Sequence, residues 1–386
     1  MKRYITIGIT LCYCILLSAQ DKKPWPLRVL HSIKTYIDSS AVRGIDPNYI
    51  QVPKKPWAVM LKYKTNDMDL HSTSTMDREM MEEKGLYGEL NWESAFKPRS
   101  EVSIGAWVGY RGYGLGYSYS LHRTEGRNFS IGATGANYGV NLRIRSFNTR
   151  DIEARMWGYD EEGPINEPFE EAETWDDIKV KSAIFDGYYM FNGKRFSYAA
   201  AYDQSSVQIR SAGSFMLGLM WFQTSIDYAR PLNGLLIQLL GGVGRIKLHE
   251  GSIGVGYAYN WVPVKNLLIN ITAMPMLVVY NRTKAYLYES NYDIFLDEGE
   301  VSPTGKKYVP DDDTSWQDDI TLEEVSSTTK YGKISLNIDA RASITYNFER
   351  FFLNVYGQVN HWNNKIDNNR IKLTDWYVNA SLGFRF

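Results

Sequence analysis

Apolar and polar residues alternate strictly from Ile334 to Phe348, in the stretch ISLNIDARASITYNF. Ile, Leu, Ala, Tyr and Phe occupy one parity, whereas Ser, Asn, Asp, Arg and Thr occupy the other. Because the side chains of a strand point alternately to its two faces, this pattern predicts a β-strand with one apolar and one polar face. A strand of this length can cross a membrane at a tilt.

The same alternation recurs along the chain and predicts an all-β protein. If both ends of the mature chain lie on one side of a membrane, the number of strands must be even. We predict about twelve strands, near residues 57–65, 101–110, 114–122, 127–135, 138–148, 181–191, 212–229, 250–261, 264–281, 333–348, 351–362 and 374–386. Fourteen strands are the alternative, if residues 86–96 and a neighbouring segment also pair.

Alternation alone does not separate a membrane barrel from a secreted soluble β protein, which hides its apolar parity inside. Aromatic residues make up 14% of the chain and recur near strand ends, as in Tyr257, Tyr259 and Trp261. Connections alternate between very short and very long. The chain also ends on an alternating strand, in which Phe384 and Phe386 share the apolar parity. This ending resembles the assembly signal of outer-membrane barrels, so we predict a single antiparallel transmembrane β-barrel.

The N-terminus carries an export signal. A basic start, an apolar run and small residues up to Ala19 predict a signal peptide over residues 1–19 and export to the Gram-negative outer membrane. A periplasmic segment, 20–56, with a short helix after Pro26 then precedes the barrel at 57–386. Both cysteines of the chain lie inside the signal, which excludes disulfides and thiolate zinc sites from the mature protein.

Five connections are predicted to emerge outside the cell, at residues 66–100, 149–180, 230–249, 282–332 and 363–373. Those at 149–180 and 282–332 are strongly acidic, which is typical of solvated loops. The stretch DDDTSWQDD at 311–319 lacks the glycine and glutamate of an EF-hand. Weak divalent bridging to lipid phosphates is the alternative role of these loops.

The connection at 192–211 is too long for a periplasmic turn. We expect it to fold into the lumen as a constriction, and two additional strands are the alternative. Glycines in GYRGYGLG, residues 109–116, are expected in turns or in lumen packing, because no helix pattern follows them as it would in a phosphate loop.

Several charged residues fall on the inward parity of predicted strands. These lumen-lining candidates are Arg143, Arg145, Asp339, Arg341, Asp375 and Arg385. They either form a polar network that fills a narrow barrel or line a path for small solutes.

No catalytic constellation is identified. His122 shares a predicted face with Ser118 and Ser120, but residues two apart on a strand stand roughly 6 to 7 Å from each other, too far for a Ser–His hydrogen bond. We therefore expect no enzyme, no cofactor and no metal site. The formal net charge of −1 gives no field that favours nucleic acid. The expected partners are outer-membrane lipid, lipopolysaccharide and the barrel assembly machinery.

Several motifs resemble an uncharacterised family of outer-membrane barrels from Bacteroidetes, known only as a domain of unknown function. The motifs are GIDPNYIQVP, YRGYGLGYSYSL, FNGKRFSYAAAYDQ followed by RSAGS, and GYAYNWV. The resemblance covers nearly all of the mature chain. It implies the fold and the location, but no catalytic residue and no substrate.

The sequence leaves three classes of function open. Passive passage of small solutes is the first. A structural or surface-interaction protein with a closed lumen is the alternative, and a lipid-modifying barrel enzyme is the third.

Overall fold

The computed structural model describes residues 25–75, 89–96, 101–121, 126–160, 163–166, 170–234, 237, 242–290, 321–366 and 369–386. Two α-helices are α1 (Trp25–Val42) and α2 (Tyr198–Tyr202), and a 3-10 turn spans Pro231–Asn233. The strands are β1 (Ile50–Gln51), β2 (Trp57–Thr75), β3 (Glu89–Phe96), β4 (Glu101–Tyr110), β5 (Tyr113–Ser120), β6 (Arg127–Thr134), β7 (Tyr138–Asp160), β8 (Gly163–Asn166), β9 (Glu170–Met190), β10 (Val207–Gln208), β11 (Ala212–Asp227), β12 (Val243–Trp261), β13 (Leu267–Ser290), β14 (Leu322–Tyr331), β15 (Ser335–Phe348), β16 (Phe351–Ile366) and β17 (Asn369–Arg385).

Twelve of these strands form a closed antiparallel barrel. Its wall runs β12, β11, β9, β7, β6, β5, β4, β2, β17, β16, β15, β13, and the pairing of β13 with β12 closes the ring. Each of the twelve segments predicted from alternation corresponds to one wall strand. The first and last wall strands also pair along their length, from Arg385 opposite Ala58 to Asn369 opposite Ser74. The prediction of a twelve-stranded barrel is therefore confirmed, and the fourteen-stranded alternative is wrong.

The two parities of each wall strand face opposite environments. On β15 the apolar residues Ile338 and Ile344 are more than half exposed on the outer surface, whereas Asp339 is fully buried inside. On β17 Leu382 is exposed and Arg385 is buried. A barrel that exposes apolar side chains and buries polar ones is inverted relative to a soluble protein, because its outer surface contacts lipid.

Strands at one end of the barrel, called the upper end below, continue well past the predicted boundaries. β7 runs to Asp160 and β9 begins at Glu170, so much of the predicted acidic loop at 149–180 is paired strand. Likewise β2 reaches Thr75, β12 begins at Val243, β13 reaches Ser290, and β16 and β17 cover most of 363–373. The loop predictions are wrong at these positions, because a strand with water on both sides needs ladder hydrogen bonds but no apolar parity. The segment 311–319 lies outside the described residues.

Strand β3 pairs with two wall strands, β2 and β7, that are separated by β4, β5 and β6 in the ring. It pairs with the upper part of β2, where His71 faces Ala95, and with the upper part of β7, where Ala154 faces Ser94. The short strands β4, β5 and β6 end below this level. Residues 86–96 therefore do form a strand in part, but it completes the wall above three short strands instead of adding to the ring.

The opposite end of the barrel has short connections and holds both ends of the barrel domain. Arg111 and Gly112, with φ values of 53° and 94°, make the tight turn between β4 and β5. This is called the short-turn end below. Helix α1 and strand β1 precede the barrel here, and the predicted signal peptide lies outside the described residues. Among the helices in the described ranges, none is long and apolar enough to cross a membrane.

Candidate functional site

The connection between β9 and β11 enters the barrel at the short-turn end and forms a plug, defined here as residues 192–211. Its centre is the single-turn helix α2, whose sequence YAAAY places small residues between two tyrosines. Ser197 caps the helix, because its Oγ accepts a hydrogen bond from the amide of Ala200 at 3.1 Å. Tyr198, Ala199, Ala200 and Ala201 are all buried. The prediction that this connection folds into the lumen is confirmed.

One side of the plug is hydrogen-bonded to β12 and β13. Asn260 donates from Nδ2 to the carbonyl of Ser197 and to Oε1 of Gln208, both at 2.9 Å. Asn270 donates to Asn260 at 2.7 Å, and the hydroxyl of Tyr202 donates to Asn270 at 2.6 Å. The side chains of Gln208, Asn260 and Asn270 are at most 2% exposed, so these are buried bonds whose loss would leave unsatisfied polar groups.

The plug is also hydrogen-bonded to β15, β16 and β17, which continue the same stretch of wall from β13. Asn354 donates to the carbonyl of Ala201 at 3.1 Å, and Gln204 donates from Nε2 to Thr345 Oγ1 at 3.1 Å. Arg385, on the last strand, donates from Nε and Nη2 to the carbonyl of Gln204 at 3.2 and 3.0 Å. The plug also reaches β6, where Thr134 donates to Asp203. It therefore bridges walls that lie across the lumen from one another.

Above the plug, Arg341 is the centre of a buried polar cluster. Its Nε donates to Asp339 Oδ1 at 3.1 Å, and its Nη1 donates to the hydroxyl of Tyr198 at 2.6 Å. The hydroxyl of Tyr188, which also accepts from Arg341, donates to Asp339 Oδ2 at 2.9 Å. Gln358 donates to the same aspartate at 3.1 Å. All three guanidinium nitrogens of Arg341 therefore donate a hydrogen bond to an acceptor within the lumen.

Two further lumen-lining candidates, Arg143 and Arg145, pair with carboxylates on other strands. Arg143 lies 3.4 Å from Asp186, which is also 3.6 Å from Arg341. Arg145 lies 3.1 Å from Asp375. The structure thus brings Arg143, Asp339 and Arg341 into one cluster through Asp186. It places Arg145 with Asp375 in a separate pair, and Arg385 under the plug, where it donates to the carbonyl of Gln204 and to Asn347.

Charge balance explains how these groups remain in the interior. Arg143 and Arg341 are offset by Asp186 and Asp339, and Arg145 by Asp375. Removing one partner of such a buried pair typically costs about 3–5 kcal/mol, because the other charge is left uncompensated. These ion pairs between strands therefore fill the lumen and do not form a row of unpaired charges along an open channel.

A small cavity remains between the plug and the wall formed by β2, β4 and β6. Its volume is about 70 Å³, and its lining includes Lys62, Trp107, Ser130, Asp203 and Tyr377. Such a space has room for a few water molecules but not for a hydrated solute. The cavity marks the side of the lumen where the plug is bonded to the wall at Thr134 of β6.

The glycine-rich turn packs around an inward-facing tryptophan. Trp107 is 6% exposed, and its ring lies where a Cβ at Gly109 or at Gly114 would stand. These glycines therefore make room for the ring, which is the lumen packing expected from the sequence. Lys62 Nζ lies 5.6 Å from the centre of the same ring.

The N-terminal segment is joined to the plug from outside the barrel. Strand β1 pairs with β10 of the plug, and the amide of Asp46 donates to the carbonyl of Lys194 at 2.8 Å. The amide of Ile209 donates to the carbonyl of Tyr49, also at 2.8 Å. The plug is therefore held both by the lumen wall and by the segment that precedes the barrel.

The two residues of the expected assembly signal lie on the outer surface at the short-turn end. Phe386 is 49% exposed and stacks on Trp57, with ring centres 6.4 Å apart. Its backbone exchanges hydrogen bonds with Trp57. Phe384 lies against Phe351, with ring centres 4.9 Å apart. The pair thus belongs to an aromatic rim where the first and last wall strands meet.

Sequence reasoning missed Asp186, Tyr188 and Asp203, and it placed Tyr198 in the plug without its bond to Arg341. Asp186 could have been found, since it is a carboxylate on the inward parity of β9 and meets the criterion used for the other lumen charges. The contacts of Tyr198 and Asp203 depend on how the plug turns, which no periodicity encodes. His122 lies outside the described residues. Within the described ranges, no group of three His, Cys, Asp or Glu side chains is placed to hold a metal ion.

Comparison with known proteins gives a family and distant structural likenesses. No curated protein matches the chain. The outer-membrane protease OmpT of Escherichia coli is 8% identical, with a TM-score of 0.34 over 86% of this chain and 97% of the protease. The β domain of the Bordetella autotransporter BrkA is 7% identical, with a TM-score of 0.29 over 86% of this chain and 100% of that domain.

The family match spans nearly the whole described barrel and its preceding segment. Residues 44–386 match the family described as Domain of unknown function (DUF4421), which includes the region joined to the plug and all twelve wall strands. The chain therefore belongs to the DUF4421 family.

Proposed function

We propose that this chain is a barrel of the Gram-negative outer membrane whose lumen is closed at rest by its own plug. The observation that carries the proposal is the bonding of one short connection to walls on both sides of the lumen. Thr134 of β6 donates to Asp203 of the plug, while Gln204 donates to Thr345 of β15, which stands six strands away from β6 in the ring of twelve. The outer-membrane location is supported by the lipid-facing apolar parity and by the predicted signal peptide. The proposal includes no catalytic step.

Conductance in planar bilayers tests the closed lumen. The wild-type barrel should show little or no conductance, whereas deletion of residues 196–207 should give discrete channels because it removes α2 and most of the wall contacts. The substitution Ala342→Leu, on the lipid face of β15, is the control for handling and reconstitution. Heat-modifiable electrophoretic mobility should show that all three proteins are folded. Equal conductance of wild type and deletion variant would contradict the closed lumen.

A gated path for small solutes is the second candidate. The cavity beside β2, β4 and β6 supports it, because a displacement of the plug would widen a space that is already lined by Lys62 and Asp203. Under this candidate the wild-type barrel should show rare, brief openings. Substituting Asn354 by Ala removes one anchor and should make the openings more frequent without abolishing the closed state.

A further inference from the structure

The outer surface carries a cluster of cations above the apolar belt on one side of the barrel. On β11 the outward residues Phe215, Leu217, Leu219 and Trp221 are all at least 40% exposed, and then the face becomes polar at Gln223 and Ser225. Trp221 stacks on Tyr280 of β13, with ring centres 5.4 Å apart. An aromatic pair at the edge of an apolar belt marks the level where hydrocarbon gives way to headgroups.

The strand register places six cations in the rows just above this pair. Lys181 faces Ser225 on β11, Ser225 faces Lys247 on β12, and Lys247 faces Lys284 on β13. The adjacent rows contribute Lys179, Arg245 and Arg282 on the same outward parity. We call the set the basic patch: Lys179, Lys181, Arg245, Lys247, Arg282 and Lys284.

Arg245 is the member of the basic patch that pairs with a carboxylate, whereas its four lysines have no such partner among the described residues. Glu324 lies 2.8 Å from Arg245, and Asp227, which faces Lys179 and Arg245 in the strand register, lies 3.7 Å from Arg230. Among the described residues, no carboxylate pairs with Lys179, Lys181, Lys247 or Lys284. Lys247 and Lys284 are direct cross-strand partners, an arrangement that is destabilising for like charges and is only partly offset by the ring of Tyr286, whose centre lies 5.0 and 4.5 Å from the two Nζ atoms. A bound anion would relieve that repulsion.

A groove in this surface has both apolar and basic lining. Its volume is about 380 Å³, which lies within the range of small-molecule sites. Ile144 and Ala183 line it nearer the apolar belt, whereas four cations and one carboxylate line it farther up: Lys179, Lys181, Arg245, Lys247 and Asp227. Such a groove suits an amphiphile whose acyl chains lie along the barrel and whose anionic headgroup lies above the belt.

The breadth of the patch favours a headgroup with more than one phosphate. Lys181 and Lys284 are separated by three strand spacings, through β11 and β12, which is about 14 Å at ~4.8 Å per spacing. A single phosphodiester cannot contact cations at both ends of such a span. The patch also lies at the end opposite the chain termini, and the periplasmic N-terminal segment predicted from the sequence would place that end at the cell surface.

We propose that the basic patch binds the phosphates of a multiply phosphorylated glycolipid in the outer leaflet. The proposal rests on the outer-membrane location proposed above, but not on the closed lumen. Lys181, Lys247 and Lys284 hold the phosphates, and the groove beside Ile144 and Ala183 receives an acyl chain.

Lipid retention in vesicles tests the proposal. The barrel is reconstituted in zwitterionic phosphatidylcholine with a bis-phosphorylated diglucosamine lipid, with its fully dephosphorylated form, or with phosphatidylglycerol, and lipid retained after detergent extraction is counted by native mass spectrometry. Wild type should retain the bis-phosphorylated lipid at least about tenfold better than the dephosphorylated form, given the gain per basic residue near an anionic surface. The triple variant Lys181→Gln, Lys247→Gln, Lys284→Gln should lose this preference.

Two control variants separate the effect of the basic patch from a general loss of charge. The triple variant Lys265→Gln, Lys333→Gln, Lys372→Gln removes the same charge from exposed positions elsewhere and should retain wild-type preference. Replacement of Lys181, Lys247 and Lys284 by Arg should retain binding if the cations hold the phosphates.

Equal retention by wild type and the Gln patch variant, or equal retention of phosphatidylglycerol and the bis-phosphorylated lipid, would overturn the proposal. So would displacement of the lipid by millimolar inorganic phosphate, which would indicate a free-anion site. Channel conductance does not enter these readouts, so failure of the closed lumen is distinguishable from failure here.

Discussion

Arg341 of the barrel wall donates from Nη1 to the hydroxyl of Tyr198 in the plug at 2.6 Å. The two residues are 143 positions apart in the chain. This bond links the ion cluster of the upper lumen to the helix that fills the lower lumen. Removal of the tyrosine hydroxyl should therefore weaken both the packing of the plug and the cluster above it.

Tyr198→Phe should lower the free energy of unfolding by about 1.5–3 kcal/mol, the usual contribution of a hydrogen bond to a charged group. The hydroxyl also accepts from Asn141 at 3.4 Å, so two donors lose their acceptor. Urea unfolding in lipid vesicles measures the change. Tyr189→Phe makes the same change on the exposed outer face of β9 and should be nearly neutral. Equal effects at the two positions would contradict the assigned contact.

Ala342→Arg should destabilise the barrel by about 2–4 kcal/mol if the residue lies near the bilayer midplane. Ala342 is exposed on β15, midway between Leu336 and Phe348 along the apolar parity. Ala342→Leu enlarges the same position without charge and should be neutral or slightly stabilising. Refolding into vesicles measures both. A neutral arginine variant would mean that this face does not contact hydrocarbon.

Phe386→Asp should reduce the amount of folded barrel in the outer membrane while leaving refolding in detergent nearly unchanged. A charge at the interface costs only about 0–1 kcal/mol, so the expected defect is in assembly rather than in stability. Membrane fractionation and detergent refolding measure the two quantities separately. Phe386→Tyr preserves the ring against Trp57 and is the matched control. Wild-type membrane levels of the aspartate variant would show that the terminal ring is dispensable for assembly.

Gly114→Ala should destabilise the barrel by about 1–3 kcal/mol, the usual cost of overpacking a filled interior. The added methyl group would overlap the ring of Trp107, which is confined between Gly109 and Gly114. Gly187→Ala is the control, because its Cβ would meet Phe185 at an ordinary 3.9 Å. The double variant Gly114→Ala, Trp107→Leu should recover part of the loss. No recovery would indicate that the glycine is required for backbone reasons instead.

Acid should loosen the junction between the N-terminal segment and the plug. The backbone amide of Asn48 donates to Asp46 and holds the pKa of that carboxyl below its ordinary value. A depressed pKa in the folded state stabilises above the unfolded pKa, and that contribution is lost as pH falls through the folded pKa. Hydrogen exchange at Ile50 and Ile209, corrected for intrinsic rates, should thus show less protection at about pH 3 than at about pH 6. Asp46→Asn should remove the pH dependence, and a persistent dependence would point to another group.

Much of the barrel could be predicted from the sequence because lipid imposes a strict alternation on its wall. In β15 and β17 successive residues alternate between the lipid-facing surface and the filled lumen. The outward direction of Ile338 and the inward direction of Asp339 could therefore be predicted from the sequence. The plug was also predictable, since residues 192–211 are too many for a tight turn. The upper halves of β7 and β13 were not, because outside the membrane a strand no longer needs an apolar face.

The pairing of β3 with both β2 and β7 was beyond sequence reasoning for a topological reason. Alternation assigns faces to a strand but does not name its neighbours, and here β3 crosses above three strands that follow it in the chain. The partners of Arg341 were hidden for a similar reason. Its inward direction follows from parity, whereas Tyr188 and Tyr198 lie on a distant strand and on a helix whose position depends on the closed ring.

The contact between Gln204 and Arg385 also constrains the order of events during biogenesis. These residues are 181 positions apart, and Arg385 is the second-last residue of the chain. The plug therefore cannot acquire this anchor until β17 has been synthesised and has paired with β2. A variant truncated before β17 loses both the pairing of β17 with β2 and this anchor, so the same deletion opens the wall and loosens the plug.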